Sequence, residues 1–268
     1  VLCFIYCFLL NKDCGKQKLD AFFSDLLKVA SVRAFRSGCV SLSKWSNRPL
    51  LHFVLLLILV TTLVYADRLP IQFNTFLEKM NQQFGPARVA VARNWQTMLV
   101  QSQNKTEQQK ILIVNDFFAR NLRYRTDIQL WQQNDYWATP LETLGKGFGD
   151  CEDYAIAKYI SLRALGIDDS KLRLIYVKAQ IGGPNSKQTQ AHMVLGYFVT
   201  PNAQPLILDS LITKVLPAAK RTDLSPVFSF NSQGLWANNS TQSVANPTAR
   251  LSRWRNIIEQ TKLEGVMW

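Results

Sequence analysis

The stretch Gly147-Phe148-Gly149-Asp150-Cys151-Glu152-Asp153-Tyr154-Ala155, continuing through Ile156, Tyr159, Ile160 and Leu162 to Gly166, decides how this chain is read. From Cys151 to Leu165 the apolar residues return at helical spacing, and Gly166 is a C-terminal stop signal. Asp150 has the chemistry of an N-cap, so Cys151 falls in the first turn of the predicted helix. Free backbone N–H groups and the helix dipole favour negative charge there. A thiolate, not a thiol, attacks carbonyl carbon, so this is where a nucleophilic cysteine gains most from its backbone. Gly147 and Gly149 let the chain turn sharply into the helix.

Downstream the character changes to strands. Leu172 to Ile181, Ala191 to Val199 and Leu206 to Leu211 are short β-rich runs separated by turn residues, Val227 to Phe230 adds a further strand, and Leu251 to Leu263 reads as a closing helix. Upstream the pattern is helical. Ile71, Phe73, Phe76, Leu77, Met80 and Phe84 end at Gly85-Pro86, a second helix spans Ala87 to Gln101, and a third starts at the capping box Thr106-Glu107-Gln108-Gln109 with Ile111, Leu112, Phe117 and Phe118 toward the core. Between Leu122 and Gly149 no strand is predicted and the composition suggests loops. Helices followed by strands predict an α+β domain, its N-terminal helices packed on an antiparallel sheet.

The chain has 268 residues, 47% apolar and 19% charged, enough for one packed domain plus a leader. Its formal charge is +12, of which eight basic and three acidic residues before Asp67 account for +5. The basic residues are scattered without aromatic interleaving, which argues against a nucleic-acid partner. Leu50 to Val64 is nearly all apolar, follows Lys44 and Arg48, and precedes Val64-Tyr65-Ala66. It is shorter than the roughly 20 residues a spanning helix prefers and reads as a secretory signal peptide cleaved after Ala66, the alternative being an uncleaved inner-membrane anchor. The expected division is a leader over 1–66 and one folded domain over 67–268. Residues 1–40 have no place in an ordinary leader, and with Val1 in first position the expectation is a start placed too far upstream.

Cys3, Cys7, Cys14 and Cys39 precede the apolar segment and Cys151 alone follows it, just as His192 is the one histidine after His52. A lone thiol sent to an oxidising compartment is either buried and inert or kept for chemistry. His192 lies in a predicted strand, on one face with Val194 and Phe198, and Asp209 ends the next. Adjacent strands would let the carboxylate fix the tautomer of the imidazole. Each residue also has a plain reading, as packing, local polar satisfaction or a turn cap; the order Cys, His, Asp on helix, strand, strand favours a catalytic set. The Cys151 backbone N–H is a natural oxyanion donor. The indole of Trp137 is a candidate for the second, although a packed core tryptophan explains it as well, and Trp95, Trp131, Trp236 and Trp254 take the same core reading.

Gly149 to Ala155, Lys158-Tyr159, Leu165-Gly166-Ile167, Ala191-His192-Met193-Val194-Leu195 and Leu208-Asp209-Ser210 together resemble the bacterial transglutaminase-like cysteine proteinases. The resemblance runs from about Phe73 to Trp236. It implies a papain-like/transglutaminase-like fold with Cys151, His192 and Asp209 as the catalytic residues. It further implies a periplasmic protease that clips the N-terminal region of a large surface adhesin at a pair of alanines, releasing it and dispersing biofilm. The implied regulator is an inner-membrane receptor for cyclic di-GMP that sequesters the enzyme. Calcium is the implied cofactor, with Asp150 and Glu152 as ligands and Asp153 beside them. A hard cation would explain three carboxylates around a thiol whose pKa they otherwise raise, whereas capping and first-turn charge would explain them without metal. A transglutaminase, a peptidoglycan amidase and a catalytically silent calcium-dependent binding protein remain as alternatives.

Overall fold

The computed structural model describes residues 69–267 except 201, 202, 238, 239 and 241. The chain divides into units Val1–Tyr65 and Ala66–Trp268, and all the described residues belong to the second. The expected signal segment lies outside them. No helix among the described residues is long and apolar enough to cross a membrane.

Three helices open the described chain: α1 (Phe73–Phe84), α2 (Pro86–Ser102) and α3 (Glu107–Asn121). Gly85, at φ +80°, separates the first two, and Pro86 starts α2 at a position where its missing N–H costs nothing. Thr106 caps α3 through the expected reciprocal box with Gln109. Ile111, Val114 and Phe118 point inward from α3, whereas Leu112 is 55% exposed. The expectation for Leu112 is corrected by the helix period, which turns it about 100° away from the Ile111 stripe.

The region read as loops holds more order than its composition suggests. Two-residue strands β1 (Arg123–Tyr124) and β2 (Phe148–Gly149) pair in parallel, enclosing α4 (Asp127–Trp131) and α5 (Pro140–Lys146). A capping box starts α5: Thr139 Oγ1 accepts the Glu142 N–H at 3.2 Å, and Glu142 Oε2 accepts the Thr139 N–H at 2.9 Å. That Thr-Pro-Leu-Glu sequence was a readable helix start. Gly147 then ends α5 at φ +71°, the left-handed conformation that glycine adopts without strain.

The central helix α6 (Cys151–Ala164) lies against an antiparallel sheet of β3 (Leu172–Gln180), β4 (Thr189–Tyr197), β5 (Leu206–Leu208), β6 (Leu216–Pro217), β7 (Leu224–Phe230) and β8 (Leu235–Ala237), in the order β6-β5-β4-β3-β7-β8. Alternation along the strands divides the buried side chains. Leu172, Leu174, Met193, Leu195, Tyr197 and Leu208 join the helices in the main core, while Ile175, Val177, Val194 and Ile207 form a small cluster on the other face. After α7 (Pro247–Arg250), α8 (Ser252–Leu263) closes the core with Trp254, which packs edge-on against Tyr159 and Phe230.

Trp95 ties α2 to α6. It is fully buried, stands 5.0 Å from Phe76 and 5.9 Å from Phe73 between ring centroids, and donates its indole N–H to Ser161 Oγ at 2.9 Å. Trp95→Ala should therefore cost about 3–5 kcal/mol in denaturant unfolding. A loss below about 1 kcal/mol would mean that this contact is dispensable.

Candidate active site

Cys151 is the first residue of α6, and the backbone before it is shaped by close approach. A Cβ on Gly149 would meet Asp153 Cβ at 2.8 Å, so no larger residue fits there without movement. Asp150 occupies the N-cap position as expected. Its Oδ1 is buried and has no hydrogen-bond partner. Asp153 Oδ1 instead accepts the Ala138 N–H at 2.7 Å and its Oδ2 the Asp150 N–H at 3.3 Å, locking the approach segment to the helix.

The thiol is 8% exposed and donates to Glu152 Oε2 at 2.8 Å. Burial raises its pKa, the charge of Glu152 and its hydrogen bond add to this, and Asp150 contributes further; the Met193 backbone N–H, directed at the sulfur, opposes them. The geometry behind that last contact is specific. β5 pairs with β4 only at Leu195, Gly196 and Tyr197, leaving the edge of β4 unpaired by β5 beside Met193, and the N-terminus of α6 docks at this open edge. The residue preceding Met193 is His192.

His192, 3% exposed, is the fourth residue of β4, which begins at Thr189 rather than at Ala191, and Asp209 follows the last residue of β5. The structure brings the two together: His192 Nε2 lies 2.7 Å from Asp209 Oδ1. That contact occupies Nε2 and leaves Nδ1 as the ring nitrogen for other chemistry. Asp209 Oδ1 also accepts the Leu211 N–H at 3.0 Å. Burial alone would raise the pKa of Asp209, but the hydrogen bond and charge of His192, with the Leu211 N–H and Arg221, hold it down at about 2.

Two cations at Asp209 were not among the residues singled out from the sequence. Lys158, 1% exposed, donates Nζ to the Asp209 backbone carbonyl at 2.8 Å, and burial lowers its pKa to about 8. Arg221 Nη2 forms an ion pair with Asp209 Oδ2 at 2.7 Å. Lys158 was visible within the motif; Arg221 lies in an irregular turn whose sequence carries no periodicity.

The acidic cluster is larger than the three residues expected. Ligand atoms of Asp127, Asp150 and Asp153 lie within 4.8 Å of one another, as do those of Asp127, Asp135 and Glu152, and of Asp150, Cys151 and Glu152. Burial raises the pKa of Asp150 to about 10, with the charges of Glu152, Asp153 and Asp127 adding to it; burial likewise raises Asp127 to about 6 and Asp153 well above its usual range. Asp127 Oδ1, like Asp150 Oδ1, is buried without a hydrogen-bond partner. Carboxylate oxygens left unsatisfied in a dry cluster of like charge fit a hard cation with oxygen ligands. Asp150 and Glu152, with Asp127 and Asp135, would hold it, while Asp153 already has each oxygen on a backbone N–H.

Trp137 stacks on Phe230 at 5.7 Å between centroids and packs against the core. Trp95 and Trp254 are core residues as expected, but Trp131 and Trp236 are only half-buried. Lys146 lies over Trp131 and Arg173 over Trp236, so these two rings serve as platforms for cations near the surface.

Residues 65–236 match the sequence model of the bacterial transglutaminase-like cysteine proteinase family, BTLCP. The chain belongs to this family, which makes it a cysteine protease of α+β fold. Among solved structures it is similar to Legionella pneumophila LapG, at 33% identity and a TM-score of 0.60 over 71% of this chain and 97% of that one. An EGTA-treated form of LapG matches at 33% identity and a TM-score of 0.62 over the same shares, and a calcium-bound form at 34% and 0.58 over 69% of this chain and 97% of that one. No curated protein sequence matches the chain.

Proposed function

We propose that this protein is a calcium-dependent periplasmic endopeptidase that cleaves the N-terminal region of a large surface adhesin, with Cys151, His192 and Asp209 as its catalytic residues. The carrying observation is a thiol at a helix start, contacted by the backbone N–H of Met193, the residue after a His192 that pairs with Asp209, and set among buried carboxylates with partnerless oxygens. The likeness to LapG, which has been solved with calcium and after EGTA treatment, supports the same metal here. Asp150 and Glu152 would hold the calcium, whose charge would offset theirs and so remove the part of the upward push on the thiol pKa that these carboxylates add to burial.

His192 takes the proton of Cys151 on Nδ1 while Nε2 stays on Asp209. The thiolate attacks the scissile carbonyl carbon, and the Cys151 backbone N–H, free at the helix N-terminus, faces the developing oxyanion. The imidazolium then gives its proton to the leaving amine, and water, deprotonated by His192, hydrolyses the thioester. Export by the N-terminal apolar segment would leave Cys151 as the one thiol of the mature chain. An adhesin released by the cut would disperse biofilm, and an inner-membrane receptor for cyclic di-GMP is the regulator we assign.

The test is incubation of the purified protein and calcium with the N-terminal fragment of such an adhesin from the same organism. One discrete cut at a pair of alanines, blocked by prior iodoacetamide treatment, is expected. An intact fragment, or a cut that alkylation leaves untouched, would refute the assignment.

A further inference from the structure

Asp209 has one carboxylate and two obligations. Oδ1 faces His192 Nε2 at 2.7 Å, and Oδ2 lies 2.7 Å from Arg221 Nη2. The side chains of Asp209 and Arg221 are 0% and 3% exposed. Arg221 is itself fixed in orientation: Nε donates to Asp223 Oδ1 at 3.0 Å and Nη2 to Asp223 Oδ2 at 2.8 Å, a two-point contact that sets the guanidinium plane. Its backbone is held as well, because the Arg221 N–H donates to the Ala218 carbonyl and its own carbonyl accepts from Leu224 N–H. Terminal carboxylate torsions are soft and roughly two-fold, so without a partner on Oδ2 the Asp209 carboxylate would be held at Oδ1 alone, by His192 and the Leu211 N–H, and its plane could turn about that oxygen.

The charge balance gives this contact a role beyond packing. His192 is cationic in only part of the cycle and becomes neutral when it protonates the leaving amine. A buried carboxylate facing a neutral ring then depends on the cations around it, and of these Lys158 is held by the Asp209 backbone carbonyl while Arg221 faces the carboxylate itself; losing that partner favours rotation or protonation of the carboxyl. Arginine stays protonated throughout. We propose that Arg221 is a positioning residue for hydrolysis, clamping Asp209 through Oδ2 so that Oδ1 holds His192 in one orientation in both charge states.

The inference rests on the reading of Cys151, His192 and Asp209 as the catalytic set, and the experiment separates the two. Arg221 lines a cleft of about 410 Å³ on the sheet face away from α6, together with Val177, Val194, Ile207 and Leu224, so a small cation can enter where its side chain is removed. Steady-state kinetics of full-length wild type, Arg221→Ala and Arg221→Lys are compared on a substrate that the wild type cleaves, alongside thermal unfolding. If iodoacetamide leaves wild-type cleavage intact, the catalytic reading fails whatever Arg221 does.

With that reading standing, Arg221→Ala should lose about 10–100-fold in kcat, as removal of an orienting partner does elsewhere, with KM within about twofold. Millimolar guanidinium, far below denaturing levels, should restore part of kcat in Arg221→Ala and leave wild type unchanged. Unchanged kcat in a folded Arg221→Ala, or a loss that guanidinium does not recover, overturns the proposal. Should Arg221→Ala fail to fold, Arg221→Lys decides: one ammonium cannot reproduce the planar contact with Asp223 that aims the guanidinium at Asp209, so kcat should fall at unchanged KM, and wild-type kcat overturns the clamp.

Discussion

Cys151→Ala is expected to reduce peptide-bond cleavage by about 10⁴-fold or more while leaving the fold intact. The size of the effect follows from the assigned chemistry: attack on the scissile carbonyl runs through the Cys151 thiolate, and an alanine carries no nucleophile in its place. The substitution removes one sulfur from a position already 8% exposed and loses the thiol's bond to Glu152 and the Met193 N–H contact to the sulfur, so the melting temperature should move by no more than a few degrees. Cys151→Ser should be nearly as inactive, because a hydroxyl at this position has a far higher pKa than a thiol. Initial rates with matched thermal melts decide the matter. A variant that melts like wild type and keeps more than about 1% of its rate would place the nucleophile elsewhere.

Chelation of calcium should abolish activity and, near pH 7.5, lower the melting temperature by about 5–10 °C, the shift expected when a ligand at about a hundred times its Kd is removed from a domain of this size. The pH dependence is more diagnostic than the shift. Burial raises Asp127 to about 6, with the charges of Glu152 and Asp135 adding to it, and raises Asp150 to about 10, with those of Glu152, Asp153 and Asp127 adding to it, so the metal-free fold keeps protons that the unfolded chain releases above about pH 4. Stability of the metal-free protein is then fully present below that pH and is lost progressively as pH rises through 6 toward 10. Calcium binds the ionised carboxylates, so its affinity grows over the same range. Melting curves from pH 5 to 9, with calcium or EGTA, should diverge as pH rises. A calcium increment that is constant with pH, or absent, would remove the metal from the cluster around Cys151.

The parts of this molecule that could be read in advance are those where one local rule acts alone. The Thr106 capping box, the Gly85-Pro86 break and the apolar stripe of α6 each specify their structure within a few residues, and all appear where expected. Leu112 shows the limit of such reading: its apolar character suggested burial, but helical phase and not hydrophobicity chose which face points inward. Asp127 and Asp135 join Glu152 from a segment whose mixed composition carries no period, and the two-residue pairing of Arg123 with Phe148 that frames this segment is too short to leave a pattern. Arg221 reaches Asp209 from a turn twelve positions on, a contact between irregular segments to which neither alternation nor capping chemistry points.

The docking of α6 at the open edge of β4 has a consequence for the life of the chain before it is folded. Cys151 and His192 are separated by a helix and a full strand in sequence, and only packing of the helix start against the finished sheet makes them neighbours. A nascent polypeptide therefore carries the parts of a protease without being one. Latency of this kind is a property of the unfolded state, and it ends with the closing of that one joint.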